Sequence, residues 1–209
     1  MIDVITLDRE YGSGGAEIAR RLAEKLGWKL HDQSLTDGIA RLMKCERCDV
    51  EGREEKRDPL YYRLLKSFMR GSFEGNLNAP EFRVVDADRI FGATRQVVFD
   101  AAKEGRGVIV GRGSAHFLRQ RAGAFHVFVY APLEDRIRRL RRGGASEAEA
   151  SAQAESVDAE RAEFVRSYFK VEWPIARSSY HLMVNSHAGE DVAVETILRA
   201  VDVLEKVPR

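Results

Sequence analysis

Residues 3–31, DVITLDREYGSGGAEIARRLAEKLGWKLH, contain an apolar strand, a glycine-rich turn at Gly12-Ser13-Gly14-Gly15, an amphipathic helix and a second short strand. A glycine-rich turn between strand and helix lets backbone N–H groups converge on an anion, and the helix N-terminus adds partial positive charge. The stretch therefore predicts an α/β protein that holds phosphate on Gly12, Ser13, Gly14, Gly15 and Ala16. The pattern G-x-x-x-x-G-K-[ST] supplies a lysine for the terminal phosphates and a hydroxyl for magnesium. Here it is not met. With Gly14 as the last loop glycine, Gly15 stands at the lysine position, Ala16 and Glu17 follow, and Arg9 takes the place of the first glycine. A tight turn with no ligand is the competing reading, since glycine-rich turns also recur for conformational reasons alone.

Strand-like apolar runs continue along the chain at Val4–Leu7, Trp28–Leu30, Val108–Val110, Phe125–Tyr130 and His181–Val184, with helical periodicity between them. Such alternation predicts a parallel sheet of about five strands covered by helices on both faces. Ligands of these sheets collect at the carboxyl ends of the strands. Asp8 and Arg9 follow the first run, Asp32 the second, Gly111-Arg112-Gly113 the third and Asn185 the fifth.

The 209 residues, 44% hydrophobic, suffice for one domain with insertions, and 34 Lys+Arg against 33 Asp+Glu leave a formal charge of +1. No global basic field points to nucleic acid, so an anion site has to be local. No stretch approaches the roughly 18 consecutive apolar residues of a membrane span, and the expectation is a cytoplasmic protein that binds neither nucleic acid nor membrane. The oligomeric state is not legible. Cys45 and Cys48 form one C-x-x-C after an amphipathic stretch, Leu35 to Met43. Without a second pair of ligands or a preceding strand, it reads as two reduced thiols near a helix end.

Two stretches break the rhythm. Residues 44–80 are rich in charge, Gly, Asn and Pro around a short helical piece, Leu60–Phe68; residues 142–172 run from Arg142-Gly143-Gly144 through an Ala/Glu-rich helix to Phe164, Tyr168 and Phe169. Charged helical insertions between core strands are candidate flaps that exclude water from a substrate. The aromatics, with Trp173, read as a seam packed on the core.

The arginines are more specific. Arg112, between two glycines at a strand end, presents a planar fork that grips phosphate in two places. In the cluster Arg136, Arg138, Arg139, Arg141 and Arg142, helical spacing puts 136 and 139 on one face and 138 and 142 on another, so only part of it can face a ligand. Asp158 and Arg161, at i and i+3, are placed to pair.

The segment Ile5–Gly15, with Glu17-Ile18 and Leu22–Gly27, resembles the opening of the cytidylate kinase-like proteins, bacterial relatives of the nucleoside monophosphate kinases. Val108–Gly113, Asp158-x-x-Arg161-x-x-Phe164-x-x-x-Tyr168 and Tyr180–Ser186 match in the same order. The resemblance implies a single three-layer P-loop kinase-like domain: a core of about 1–43, 91–141 and 174–209, an insertion of the monophosphate-binding type at about 44–90 and a lid-type insertion at about 142–173.

It also implies an ATP- and Mg²⁺-dependent kinase of a pyrimidine, CMP-like monophosphate. Arg112 would hold the acceptor phosphate, Asp32, Asp158 and Arg161 would contact the acceptor nucleotide, and Arg136 would lie on the nucleotide side. Asp8 matches the aspartate that ends the first strand. Gly15, Ala16 and Glu17 replace the loop lysine, a small residue and the hydroxyl, Gly113 replaces an aspartate, and Ala154 stands at the place of a lid arginine. Phosphoryl transfer needs positioning and charge neutralisation more than a chemical group on the protein. Arg9, or an arginine of the 136–142 cluster, would then supply the missing cation, with Arg9, Arg112 and Arg161 as the catalytic set. Asp8 or Glu17 would hold Mg²⁺, which needs only one or two carboxylates. The alternative function is a nucleotide-binding sensor or partner without turnover.

Overall fold

A computed structural model describes residues 1–45, 87–174 and 177–206. The helical piece at 60–68, most of the 44–90 insertion and Cys48 lie outside the described residues. Five parallel strands, β1 (Val4–Arg9), β2 (Lys29–His31), β3 (Gly107–Val110), β4 (Ala124–Tyr130) and β5 (Leu182–Asn185), form one sheet in the order β2-β3-β1-β4-β5. Each expected strand is present within two residues of its expected bounds. β1 runs on to Asp8 and Arg9, because both are buried and pair in register with Phe128 and Val129.

The α-helices among the described residues are α1 (Gly15–Leu26), α2 (Gln33–Cys45), α3 (Ala87–Glu104), α4 (Ser114–Phe117), α5 (Leu133–Arg142), α6 (Glu147–Phe169) and α7 (Glu190–Lys206). Strand side chains alternate between the two faces, and both faces are apolar because both are covered. Ile5, Leu7, Val108, Val110, Val127 and Val129 pack with Ile18 and Leu22 of α1 and Ile197 of α7. On the other face Val4 and Ile109 meet Leu35 of α2, Val98 and Ala102 of α3, and Leu118. Phe128 joins Phe164, Trp173 and Tyr180 there, so the aromatic seam does pack on the core.

The long α6 opens in a capping box, in which Ser146 N–H donates to Glu149 Oε2 at 2.9 Å and Glu149 N–H donates to Ser146 Oγ at 3.3 Å. Its first turns bury Ala150, Ala154 and Val157 against Tyr11 and Leu140, so position 154 is filled by a small residue inside the α5–α6 contact. Further along, α6 delivers Arg161, Phe164 and Val165 to the strand ends.

Candidate active site at the carboxyl ends of the strands

The last two residues of β1 leave the strand on opposite faces. Asp8 points to the α6 side, where Tyr180 donates its hydroxyl hydrogen to Asp8 Oδ2 at 2.9 Å. Burial and the adjacent carboxylate push the Tyr180 phenol far up, so it remains a donor at any ordinary pH. Arg9 points to the α1 side. A Cβ placed on Gly15 would lie 2.7 Å from Arg9 Cβ and Cγ, and one on Gly111 would lie 2.3 Å from Arg9 Nη1. The Arg9 side chain thus spans from the start of α1 to the turn after β3.

That turn is unusual in its backbone. Gly111, Arg112 and Gly113 have φ of 65°, 60° and 67°, three successive left-handed residues, one of them an arginine that is only 2% exposed. A non-glycine residue there carries strain of about 1 kcal/mol or more, which surrounding contacts have to offset. Phe169 roofs the turn: a Cβ on Gly113 would meet its ring at 2.8 Å. An aspartate at this position would collide with the ring.

Arg161 completes the group. Its Nη1 donates to Arg9 O at 2.7 Å, while its Nε has no hydrogen-bond partner among the described residues. Burial, followed by the neighbouring Arg9 charge, pulls Arg161 down to about 9, so it stays cationic at neutral pH. Asp8, Arg9, Gly111, Arg161, Phe164 and Trp173 line one small cleft. His116 stacks on Phe169 with centroids 4.8 Å apart, and burial lowers its pKa despite the nearby Asp8.

The phosphate-type turn is braced from outside. Tyr11 N–H donates to Asp158 Oδ1 at 2.9 Å, and Arg136 donates through Nε to Tyr11 O at 2.7 Å and ion-pairs with Asp158. Asp158 also lies 3.6 Å from Arg161, a pair buried under α6 rather than on the surface. Burial raises the Asp158 carboxyl against the pull of Arg161 and Arg136. Arg139 donates to Ser186 O at 2.8 Å, and Ser186 Oγ donates to Ser13 O at 2.6 Å, which ties the end of β5 to the turn. Ser13 Oγ is fully buried and has no partner among the described residues. Gly12 presses on α5, where a Cβ would meet Arg136 O at 3.0 Å; Gly14, at φ 79°, faces Glu190, whose carboxylate would lie 2.8 Å from its Cβ. The first-turn N–H groups of Gly15, Ala16 and Glu17 have no acceptor within α1 itself, as at any helix start.

Asp8, Arg9 and Arg161 line one cleft, Arg112 follows in the turn after β3 near enough for its charge to act on Arg161, Asp158 and Arg136 stand behind the Gly12–Ala16 turn, and Asp32 lies just after β2, next to β3. Glu17 is elsewhere: Arg20 and Arg21 engage it on the outer face of α1, and these hydrogen bonds, Arg20 first, hold it down to about 2. Among the described residues no three His, Cys, Asp or Glu side chains group as a metal site. Asp8, buried in the cleft, is a carboxylate of the kind Mg²⁺ takes, and Mg²⁺ needs only one or two of them.

Residues 4–188 match the cytidylate kinase-like family. The chain belongs to that family. No curated protein matches it. An uncharacterised protein from Eubacterium ventriosum shares the fold at a TM-score of 0.68 and 19% identity, over 97% of this chain and 99% of that one. A shikimate kinase from Acinetobacter baumannii, solved with shikimate, gives 0.55 and 17% over 100% and 97%. A shikimate kinase from Bacteroides thetaiotaomicron gives 0.54 and 14% over 97% and 99%. The five-stranded sheet and its helices are those of P-loop kinases. Among the described residues no helix is long and apolar enough to cross a membrane.

Sequence reasoning passed over Tyr180 and Glu190 as site neighbours. Tyr180 precedes β5 by two residues, at its amino end in sequence, and its hydroxyl reaches Asp8 all the same. Glu190 opens α7, and nothing in its local pattern distinguishes it from an ordinary first-turn acid.

Proposed function

We propose that this member of the cytidylate kinase-like family is a phosphotransferase that moves the terminal phosphate of ATP to a nucleoside monophosphate, of the pyrimidine CMP type. The observation that carries the reading is the convergence of Arg9, Arg112 and Arg161 with Asp8 at the ends of β1 and β3, beside the Gly12–Ala16 turn. Buried guanidinium groups in a water-poor cleft stabilise spread negative charge far better than they do in water, and they are already in place before the reaction. The Gly12–Ala16 backbone would hold the donor phosphates. Arg112 would fix the acceptor phosphate, with Arg161 between the two anions and Asp32 on the acceptor side. Mg²⁺, when bound with the nucleotide, supplies charge neutralisation at the phosphates, and Asp8 is the carboxylate suited to hold it. Tyr180 keeps that carboxylate oriented. Asp158 and Arg136 act one layer out, holding the turn in shape.

The purified chain, given ATP and Mg²⁺, is expected to release ADP only when CMP, dCMP or UMP is supplied, in a coupled assay that also includes AMP and nucleosides. A second reading, nucleotide binding without turnover, is favoured by the Glu190 carboxylate beside Gly14, which adds negative charge near the donor phosphates. Calorimetric binding of ATP or CMP with no ADP release under any acceptor selects that reading. Absence of binding for all of them overturns both.

A further inference from the structure

We infer that Tyr180 and Trp173 are positioning residues, a one-way hydrogen-bond relay that fixes the Asp8 carboxylate in the cleft and leaves its negative charge intact for a cation. This rests on the phosphotransferase reading, in which Asp8 is the carboxylate toward Mg²⁺. The sheet builds the relay. Asp8 lies in register with Phe128 on β4, and Phe128 packs both on Tyr180, with centroids 5.0 Å apart, and edge-on against Trp173, at 5.6 Å. Three rings from three parts of the chain therefore close around one carboxylate. Tyr180 and Trp173 are each 8% exposed, and Trp173 lines the same cleft as Asp8.

The direction of the relay follows from its donors. An indole N–H donates and never accepts, whereas a phenol does both. Trp173 acts as a donor on the Tyr180 oxygen, so the phenol's own hydrogen goes to Asp8 Oδ2, at 2.9 Å. That is the side-chain hydrogen bond which Asp8 makes among the described residues, and Asp8 forms no ion pair among them. The other carboxylates around the glycine-rich turn are held differently. Asp158 pairs with Arg136 and Arg161, Glu17 with Arg20 and Arg21, and Glu190 with Arg21, while Glu10 lies 3.5 Å from Arg136. A guanidinium that orients a carboxylate also neutralises it; a hydroxyl orients it and leaves the charge. Of these five carboxylates, Asp8 is the one fixed by a neutral side chain.

The test is calorimetric binding of ATP to the full chain in excess Mg²⁺ and again in EDTA, with circular dichroism as the check on folding. The ratio of the two affinities reads what the metal adds, whereas general damage to the turn changes both members alike. The wild type is expected to bind roughly thirtyfold more tightly in Mg²⁺, and Asp8→Asn to bring the ratio close to one. Tyr180→Phe keeps the ring against Phe128 and removes the hydroxyl. It is expected to lower the ratio about tenfold, as for a lost hydrogen bond to a charged group. Trp173→Phe, which keeps an aromatic ring and removes the N–H, is expected to lower it about threefold. Added to Asp8→Asn, Tyr180→Phe should change the ratio no further, because the hydroxyl acts only through the carboxylate. An undiminished ratio in folded Tyr180→Phe, or in Trp173→Phe should Tyr180→Phe not fold, overturns the inference. So does a wild-type ratio of one, or an undiminished ratio in Asp8→Asn. In each of these cases ATP still binds, and the phosphotransferase reading stands. Failure of the wild-type chain to bind ATP in either condition overturns that reading, and this inference with it.

Discussion

At the scale of single residues, Arg112 separates conformational cost from function. Its φ of 60° is one that glycine adopts freely and arginine does not, yet the side chain is buried at the strand end between two glycines. Arg112→Ala removes the guanidinium and keeps the strain, whereas Arg112→Gly removes both. Both variants are expected to lose acceptor binding by about 2–5 kcal/mol. Arg112→Gly should nevertheless be more stable than Arg112→Ala by about 1 kcal/mol in urea titrations. Arg112→Lys should restore acceptor affinity only in part, since a single ammonium lacks the two-pronged geometry. Equal stability of the alanine and glycine variants would show that the left-handed turn relaxes when the guanidinium is gone. Unchanged acceptor affinity in all three would remove Arg112 from the site. Gly14 is a poorer probe of phosphate binding than its place in the turn suggests. At φ 79° and against Glu190, any side chain there meets strain and protein before it meets a ligand.

Between elements, the decisive contact is α6 and α5 against the turn that follows β1. Asp158 accepts from Tyr11 N–H and pairs with Arg136, side chains 17% and 9% exposed, so the carboxylate acts on the shape of the turn. Asp158→Asn keeps the volume and removes the charge facing Arg136 and Arg161. Breaking a buried pair in this way typically costs about 3–5 kcal/mol, because the partner charges remain buried. The variant is expected to unfold at lower urea and to bind ATP, CMP and AMP more weakly by one common factor. A selective loss of CMP over AMP would instead place Asp158 at the acceptor base. The strands and helices of this assembly were legible in the sequence because buried parallel strands are near-continuous apolar runs, and amphipathic helices between them leave little choice of topology. The strand ends were legible too: Asp8, Arg9 and Arg112 are polar residues at the only places where a covered sheet opens to a ligand. Direction was not. Arg136 and Arg139 share a helix face in the sequence, as observed, but whether that face meets a nucleotide or the carbonyls of Tyr11 and Ser186 depends on where β1 and β5 end in space. Glu17, on the helix expected to carry a metal ligand, turns outward because Arg20 and Arg21 lie within one turn of it. Gly15 was readable only as an absent lysine until the path of Arg9 was known.

For the whole molecule, buried histidines set how stability depends on acidity. His126 sits in the middle of the sheet on β4, its Nδ1 2.7 Å from Thr6 Oγ1, its backbone N–H donating to His181 Nδ1 at 2.9 Å, and its ring stacked on that of His181 at 4.9 Å. Burial, and then the His181 charge, lowers it from the ordinary 6.5 to about 4. His31 and His116 are lowered as well, burial leading in each case. Above about pH 6.5 these rings are neutral in both folded and unfolded chains and cost nothing. As pH falls below that value the unfolded chain takes up protons that the folded chain refuses, so stability is lost between pH 6.5 and about 4. Glu10 and Asp158, whose carboxyls burial raises, act in the opposite sense in part of this window, because the folded chain takes their protons first. The net curve mixes these contributions, and a variant isolates one of them. His126→Gln is expected to cost some stability at pH 7.5 through lost packing, yet to lose about 2 kcal/mol less than the wild type on going to about pH 5. Urea midpoints of the two proteins, read across that range, should therefore converge as the solution becomes acidic. Parallel curves would show that His126 takes up its proton in the folded sheet as readily as in the unfolded chain, and that the β4 core admits a charge which its contacts with Thr6 and His181 otherwise exclude.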